Sequence, residues 1–194
     1  MEKYYFDVPQ PRVTVGEDVV LLLINGKETD VSIERGIGGE ERATTELITR
    51  KEWVYDGVRL DTGGITSESA LTAAAQKMVA EKIETYDASS SVNGFTLNGT
   101  TMWLDKATRV GLMNSTSIAK AMGQTTTTLW LGDVKIVVNC DKAIGLLSAL
   151  EMYALECFNV TAAHKKAIAE MSTVEDVLGY DYTKGYPEQL KLEV

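Results

Sequence analysis

Three side chains in this 194-residue sequence have the strongest potential for chemistry: His164, Cys140 and Cys157. His164 is the only histidine, so one chain cannot supply a two-histidine metal site. In the helix predicted below, Cys157 and His164 are about 10 Å apart, too far for a nucleophile and its base. The two cysteines on that helix are about 25 Å apart, beyond disulfide reach. The pattern favours a packed or interface histidine and buried, reduced thiols.

The acidic residues offer several possible carboxylate pairs but no recognisable acid/base dyad. Glu40-Glu41, Glu151 with Glu156, and Glu175-Asp176 all lack a partner that would mark one, so solvated faces are expected. The glycine-rich stretch 36–39 precedes two glutamates, which would repel a phosphate. No nucleophile-elbow, zinc-protease, paired-cysteine or calcium-loop motif occurs. We therefore predict no catalytic residue, no metal, no cofactor and no enzymatic activity.

The net charge of −9 limits the classes of partner. It argues against nucleic acid and against an anionic membrane surface, because both are bound through clustered lysine and arginine. The longest apolar run, residues 19–24, is too short to span a bilayer. The first residues show no basic-then-apolar signal pattern, which fits synthesis in the cytoplasm. With 44% hydrophobic residues, the chain can build a core without disulfides or metal.

Hydrophobic periodicity divides the chain into a β-rich and a helix-rich part. Residues 1–64 predict an all-β hairpin region, with turns at Asn25-Gly26 and Asp56-Gly57. Residues 65–194 predict a helix, a hairpin, a second helix, a second hairpin and a long helix. The helices are expected at 67–86, 106–122 and 141–171, with Asp105 and Asp141 as the N-caps of the last two. Hairpin turns are expected at Asn98-Gly99 and Gly132-Asp133. The fold class is therefore α+β, with domains at 1–64 and 65–194.

The longest predicted helix, residues 141–171, is expected to be the element around which the rest packs. It contains no proline and is rich in alanine, leucine, methionine and glutamate. Its polar residues fall on one narrow stripe, and apolar residues cover the remaining circumference. Because such a helix is normally covered on several sides, we expect it to be buried at the centre of its domain.

The aromatic residues are the best candidates for recognition. The three tryptophans lie in predicted strands beside aliphatic residues, a pattern more typical of buried or interface positions than of a sugar-binding platform. A sugar-binding role remains the alternative. The predicted interaction surface consists of six residues: Trp53, Trp103, Trp130, His164, Tyr182 and Tyr186.

Residues 86–187 resemble a family of bacteriophage and prophage proteins that carry a domain of unknown function. The resemblance is carried by seven short pieces in consistent order. They are Y-D from Tyr86, M-W-L-D-K-A-T-R from Met102, T-T-L-W-L from Thr127, A-L-E-M-Y-A from Ala149, H-K-K-A-I from His164, T-V-E-D-V from Thr173 and Y-D-Y-T-K-G-Y-P from Tyr180.

This resemblance implies a role beside phage tail or tail-fibre proteins, without assigned catalytic residues. The expected function is that of a non-enzymatic structural or tail-assembly protein acting through protein–protein contacts. The alternatives are a tail-fibre assembly chaperone and a carbohydrate-binding receptor-recognition module. Expected partners are other tail or virion proteins and the chain itself. The expected location is the bacterial cytoplasm during assembly, with the virion as an alternative.

Overall fold

A computed structural model describes residues 1–16, 19–37 and 44–194. It confirms the α+β class, with strands at the N-terminus and a long helix in the C-terminal part. The chain forms two compact units. Unit 1 comprises Met1–Met78 and Ser172–Leu178, and unit 2 comprises Val79–Met171 and Gly179–Val194. The change from strands to helices occurs near residue 64, whereas unit 1 takes residues from both sides of that position and unit 2 begins at Val79.

Unit 1 contains a four-stranded antiparallel sheet in the order β1-β4-β3-β2. Its strands are β1 (Glu2–Phe6), β2 (Val13–Val15), β3 (Val19–Ile37) and β4 (Thr44–Asp61). Val20, Leu22 and Leu60 are almost fully buried, so the apolar run 19–24 supplies much of the core, as a strand that buries a face should. Most of the glycine-rich stretch 36–39 and both glutamates that follow it lie outside the described residues.

The two turns predicted in the N-terminal region are wrong. Both pairs, Asn25-Gly26 and Asp56-Gly57, lie within the paired strands β3 and β4. Asp56 and Gly57 pair with Ile24 and Leu23, and the register shifts directly afterwards, at Asn25-Gly26. Asn25 has a φ of 55° and its side-chain amide donates to Asp56, with Nδ2 and Oδ2 3.0 Å apart. A Cβ at Gly57 would lie 2.3 Å from the Tyr4 ring. Asn25-Gly26 therefore forms a β-bulge, and Gly57 lies where the Tyr4 ring packs closely against the strand. Residue pairs that are typical of turns thus occur here inside strands.

Helix α1 (Glu68–Asp87) confirms the predicted helix 67–86 and runs from unit 1 into unit 2. Its buried residues recur every four positions, at Leu71, Ala75, Val79 and Ile83. In unit 1, Arg12 pairs with Glu68 at the start of α1 and with Glu175 in α5 (Val174–Gly179). The two carboxylates raise the pKa of the Arg12 guanidinium, so the cation is held firmly at both helix starts.

Unit 2 contains the remaining elements, two small sheets and three helices. They are α2 (Ser90–Asn93), β5 (Phe95–Leu97), β6 (Thr100–Met102), α3 (Lys106–Ala121), β7 (Thr126–Leu131), β8 (Val134–Asn139), α4 (Cys140–Glu170) and β9 (Leu190–Leu192). Both predicted hairpins are confirmed, as β5-β6 and β7-β8. Strand β9, in the tail, pairs in parallel with β5 and was not predicted.

One face of α4 forms the centre of the unit 2 core. The helix is capped by Asn139, whose side chain accepts from the amide of Asp141 at 2.8 Å, so the predicted cap at Asp141 is two residues late. The core combines this face with residues of α2, β5, β7 and β8. Its members include Val92, Phe95, Leu97, Leu129, Leu131, Val138, Ala143, Leu147, Leu150, Tyr153 and Cys157.

The expectation that α4 is covered on several sides is wrong. Met152, Leu155 and Phe158 are 58%, 48% and 60% exposed, because the elements of unit 2 cover only the opposite face. Among the described residues, α4 is the one helix that is long and apolar enough to cross a membrane. Length and composition alone are weak evidence, since the central helix of a folded core passes the same test. Only 28% of its most apolar stretch is buried, so the core does not account for its composition.

Candidate functional site

His164 is buried, and both of its ring nitrogens are engaged. Nε2 lies 2.9 Å from the carbonyl oxygen of Lys184, which can only accept, so in the neutral ring Nε2 carries the proton. Nδ1 then accepts from the hydroxyl of Tyr180 at 2.7 Å. With both nitrogens occupied, the imidazole has no free position at which to take a proton from a substrate. It holds the C-terminal tail on α4.

Cys157 is fully buried, and its thiol is engaged by the backbone. Its thiol donates to the carbonyl oxygen of Val92 at 3.4 Å, and the hydroxyl of Tyr153 donates to the same oxygen at 2.8 Å. Burial raises the pKa of the Cys157 thiol, and burial together with the nearby thiol raises the pKa of Tyr153 to about 12. Both groups are therefore protonated at neutral pH, and neither is an activated nucleophile.

Two further predicted residues, Tyr182 and Tyr186, join this buried cluster. Both rings meet Tyr86 edge to face, with centroids 5.8 and 5.7 Å apart. Thr161 donates to Asp87 at 2.7 Å and accepts from the Tyr186 hydroxyl at 2.9 Å. These aromatic and hydrogen-bond contacts fix the tail within unit 2, so the two tyrosines are half-buried anchors.

The three tryptophans lie in different surroundings. Trp53, in unit 1, stacks on Tyr55 with ring centroids 6.4 Å apart. Trp130, on β7, is exposed, and the ammonium group of Lys135 lies 5.9 Å from its ring centroid. Trp103 follows β6 and is 41% exposed, at the edge of a groove. Within unit 2, Trp130 does not line the groove at whose edge Trp103 lies, and Trp53 belongs to unit 1.

The groove beside Trp103 is a concave surface of unit 2 with a volume of about 520 Å³. Its lining residues come from the end of α1, α2, the start of α3 and the middle of α4. They are Asp87, Ala88, Asn93, Trp103, Leu104, Asp105, Lys106, Arg109, Glu151, Ala154, Leu155 and Phe158. One wall is apolar and exposed, formed by Trp103, Leu155 and Phe158.

The polar groups in the groove are held mainly by the protein itself. Arg109 is buried, and it donates from Nε to Glu151 at 3.0 Å and from Nη1 to the Leu104 carbonyl at 2.7 Å. Asp105 caps α3 by accepting from the amide and hydroxyl of Thr108, which lowers the pKa of the Asp105 carboxyl. These side chains shape the groove and fix its polar wall.

The groove is suited to binding apolar groups, since its carboxylates are already engaged. Lys106 makes no ion pair within the described part of the chain, which leaves it as an available cation at the groove edge. No three acidic, cysteine or histidine side chains among those described are grouped as a metal site would require. An apolar wall of large side chains beside satisfied polar groups is typical of protein interfaces.

Periodicity did not predict this groove. The helical wheel of α4 shows a wide apolar arc but does not say which part of the arc the core uses. Phe158 therefore could not be assigned to the surface, and Leu155, which the wheel places on the polar side, could not be assigned to a groove. A usable signal was Trp103 itself, two residues before the α3 cap Asp105, because tryptophan is large and is rarely fully buried.

A family model described as "Domain of unknown function (DUF4376)" matches residues 72–184, which is more than half of the chain. The chain belongs to the DUF4376 family. The matched region contains every residue of the groove and His164, whereas the β3-β4 hairpin lies outside it. The searches of curated proteins and of solved structures returned no match.

Proposed function

We propose that this DUF4376 chain is a non-enzymatic structural or tail-assembly protein of a phage or prophage, acting through protein–protein contacts. The observation that carries this proposal is the groove of unit 2, with its exposed wall of Trp103, Leu155 and Phe158. Large apolar side chains at a concave surface are the usual anchors of an interface, because burying them releases ordered water. The link to phage tails rests on the resemblance of residues 86–187.

The engagement of the reactive groups supports a role without catalysis. His164 uses both nitrogens to hold the tail, and Cys157 is buried with a raised pKa. In the groove, Glu151 is paired with Arg109, so it is a poor candidate for a general base. These contacts assign the polar residues to positioning neighbouring segments.

The charge of the chain indicates the chemistry of the partner. A net charge of −9 favours solubility before assembly and basic surfaces on the bound protein. The expected place of action is the cytoplasm of the bacterial host during assembly, followed by incorporation into the virion.

Mass spectrometry of purified particles tests this proposal. Particles from induced cells should contain the chain at a fixed ratio to tail proteins after washing in high salt. A chain found in the lysate but never in particles would overturn the structural role and would favour a tail-fibre chaperone.

Carbohydrate binding is a second candidate, because Trp103 lies beside the polar side chains of Asp87 and Asn93 in the groove. An exposed indole flanked by hydrogen-bonding groups can bind a sugar face. A glycan array with the intact protein distinguishes the two roles. Binding that is lost in the Trp103→Ala variant would support recognition of carbohydrate, and an array without signal would exclude the sugars displayed.

A further inference from the structure

The outer face of α4 carries a second apolar pattern that the unit 2 core does not use. Seven of its positions alternate in spacing between three and four residues, and all seven are exposed. They are Gly145, Ser148, Met152, Leu155, Asn159, Ala162 and Lys166. This is the spacing of positions a and d in a coiled coil, and we call the seven residues the outer seam. It spans about 32 Å of helix at 1.5 Å per residue.

The composition of the outer seam suits close contact with another helix. Six of its seven side chains are uncharged, and the two largest apolar ones, Met152 and Leu155, lie at its centre. Gly145 and Ala162 are small, so a second backbone could approach closely towards both ends. The apolar content of α4 that its own core leaves exposed is thereby explained by a second surface.

We propose that a second copy of this chain covers the outer seam, with the two α4 helices antiparallel. In antiparallel pairs, a positions face d positions. One register then matches every layer by chemistry: Met152 faces the partner's Leu155, Ser148 its Asn159, and Gly145 its Ala162. Asp141, four residues before the seam, faces the partner's Lys166. The two-fold axis passes between Met152 and Leu155, so each layer occurs twice.

Charge selects this arrangement over a parallel pair. A parallel pair would place Asp141 against Asp141 and Lys166 against Lys166, with like charges at both ends. The antiparallel register replaces both repulsions with attractions. Asp141 and Lys166 already pair with Lys120 and Glu170 of their own chain, and with 71% and 77% of their side chains exposed each remains accessible to a second helix. Sliding one helix by seven residues would place Leu155 against Asn159 and Ser148 against Lys166. Apolar side chains would then face polar ones, and the lysine would have no carboxylate opposite it.

A membrane is the competing cover for this face. It fits less well, because Asn159 and Lys166 lie within the outer seam and would enter hydrocarbon. The opposite face of α4 also carries buried polar side chains, Thr161 and His164, whose hydrogen-bond partners belong to unit 2. A second protein helix would cover the outer seam and leave the hydrogen bonds of Thr161 and His164 intact.

Light scattering on the intact chain tests the proposal. At micromolar concentrations, the wild-type chain should have twice the chain mass of 21.2 kDa. Met152→Glu should halve that mass while the circular dichroism spectrum stays unchanged, because two carboxylates would be buried beside the axis. The matched control is Ile118→Glu, an exposed apolar position on α3, which should remain dimeric. A monomeric wild type, or a dimer that Met152→Glu leaves intact, overturns the proposal.

Disulfide trapping tests the direction and the register. The double variant Ser148→Cys with Asn159→Cys should form a covalent dimer under mild oxidation. In the proposed register, the thiol at position 148 of each chain faces the thiol at position 159 of the other chain. Each single variant should stay uncrosslinked, because like positions are then about 16 Å apart along the helix. A crosslink in either single variant would mean a parallel pair and would refute the register.

Binding to vesicles of anionic and neutral lipids completes the test. The antiparallel pair predicts no flotation with either composition. Flotation that Met152→Glu abolishes would assign the outer seam to a membrane and overturn the inference. Leu155 belongs both to the outer seam and to the groove wall, but Trp103 and Phe158 lie outside the seam and can still anchor a partner. A monomeric chain found in particles would therefore keep the proposed function and remove only the dimer.

Discussion

His164→Ala is the perturbation that best separates a structural histidine from a reactive one. The ring is buried on α4, between the carbonyl of Lys184 and the hydroxyl of Tyr180. It also meets the rings of Tyr180 and Tyr186, with centroids 5.5 Å away in both cases. Removing the imidazole leaves two polar groups without partners and a cavity beneath the tail.

The expected cost is about 3 kcal/mol of unfolding free energy. Each lost hydrogen bond contributes about 1 kcal/mol. Each ring contact contributes roughly 0.5–1 kcal/mol beyond the buried area. These contributions overlap because the same two tyrosines are involved. The total loss of unfolding free energy is therefore near the lower end of the range for replacing a large buried side chain by alanine.

Urea unfolding followed by the helical circular dichroism signal measures this cost. With an m-value of about 2 kcal/mol/M, the midpoint should fall by about 1.5 M. Hydrogen exchange should show that the amides of residues 180–192 lose protection first. Glu156→Ala, an exposed position on the same helix, is the control and should shift the midpoint by less than about 0.25 M. A His164→Ala midpoint equal to that of the control would refute the structural role.

The remaining predictions concern three other buried groups. The pKa of Tyr153 is about 12 in the folded chain and about 10 when unfolded, so its contribution to stability is complete below pH 10 and is lost as pH rises to 12. Tyr153→Phe should flatten the alkaline loss of stability between these values, by up to about 3 kcal/mol. Gly57→Ala should destabilise unit 1 by about 1–3 kcal/mol, because the new methyl group meets the Tyr4 ring. The Cys157 thiol should resist labelling by a water-soluble disulfide reagent until the chain unfolds.

Each of these predictions has an internal control. For the tyrosine, the wild-type and Tyr153→Phe stability curves should run parallel below pH 10, and parallel curves up to pH 12 would contradict the raised pKa. For the glycine, the cost of Gly57→Ala should largely vanish in a Tyr4→Ala background, and an equal cost in both backgrounds would contradict the steric cause. For the thiol, labelling in urea gives the full signal, and fast labelling of the native chain would contradict burial.

Local sequence signals predicted the elements of unit 2 well. The helix of residues 106–122 is observed at Lys106–Ala121, and its predicted cap Asp105 accepts from the Thr108 amide. Both hairpins occur where Asn98-Gly99 and Gly132-Asp133 indicated. These features depend on contacts between near neighbours in the chain, which is why spacing and turn chemistry suffice to find them.

Long-range pairing was beyond the reach of the sequence. Strand β9 is three residues long and pairs with β5, more than ninety positions earlier, so no periodicity marks it. Asn25-Gly26 has the strongest local turn signal in unit 1, yet β4 pairs with β3 on both sides of it. The tertiary pairing of two long strands outweighs a local turn preference, and the dipeptide is used for a bulge instead.

The groove shows the same limit for the candidate site. The six predicted interaction residues included Trp103, which lines the groove, but the partners that complete its apolar wall come from α4. Phe158 belongs to the arc that was expected to be buried, whereas Leu155 lies between Glu151 and Ser148 on the polar side of the helical wheel. Which apolar side chains of α4 remain exposed depends on which of its faces the other elements of unit 2 cover.

Incorporation of groove variants into particles is the most direct test of a role based on protein–protein contact. The double variant Trp103→Ala with Phe158→Ala should fold and accumulate in the cell, and quantitative mass spectrometry should find it depleted at least about tenfold from particles relative to wild type, as expected when two interface anchors are truncated. Trp130→Ala, which removes an exposed tryptophan outside the groove, should be incorporated normally. Equal incorporation of the groove double variant and wild type would contradict a role for this surface in assembly.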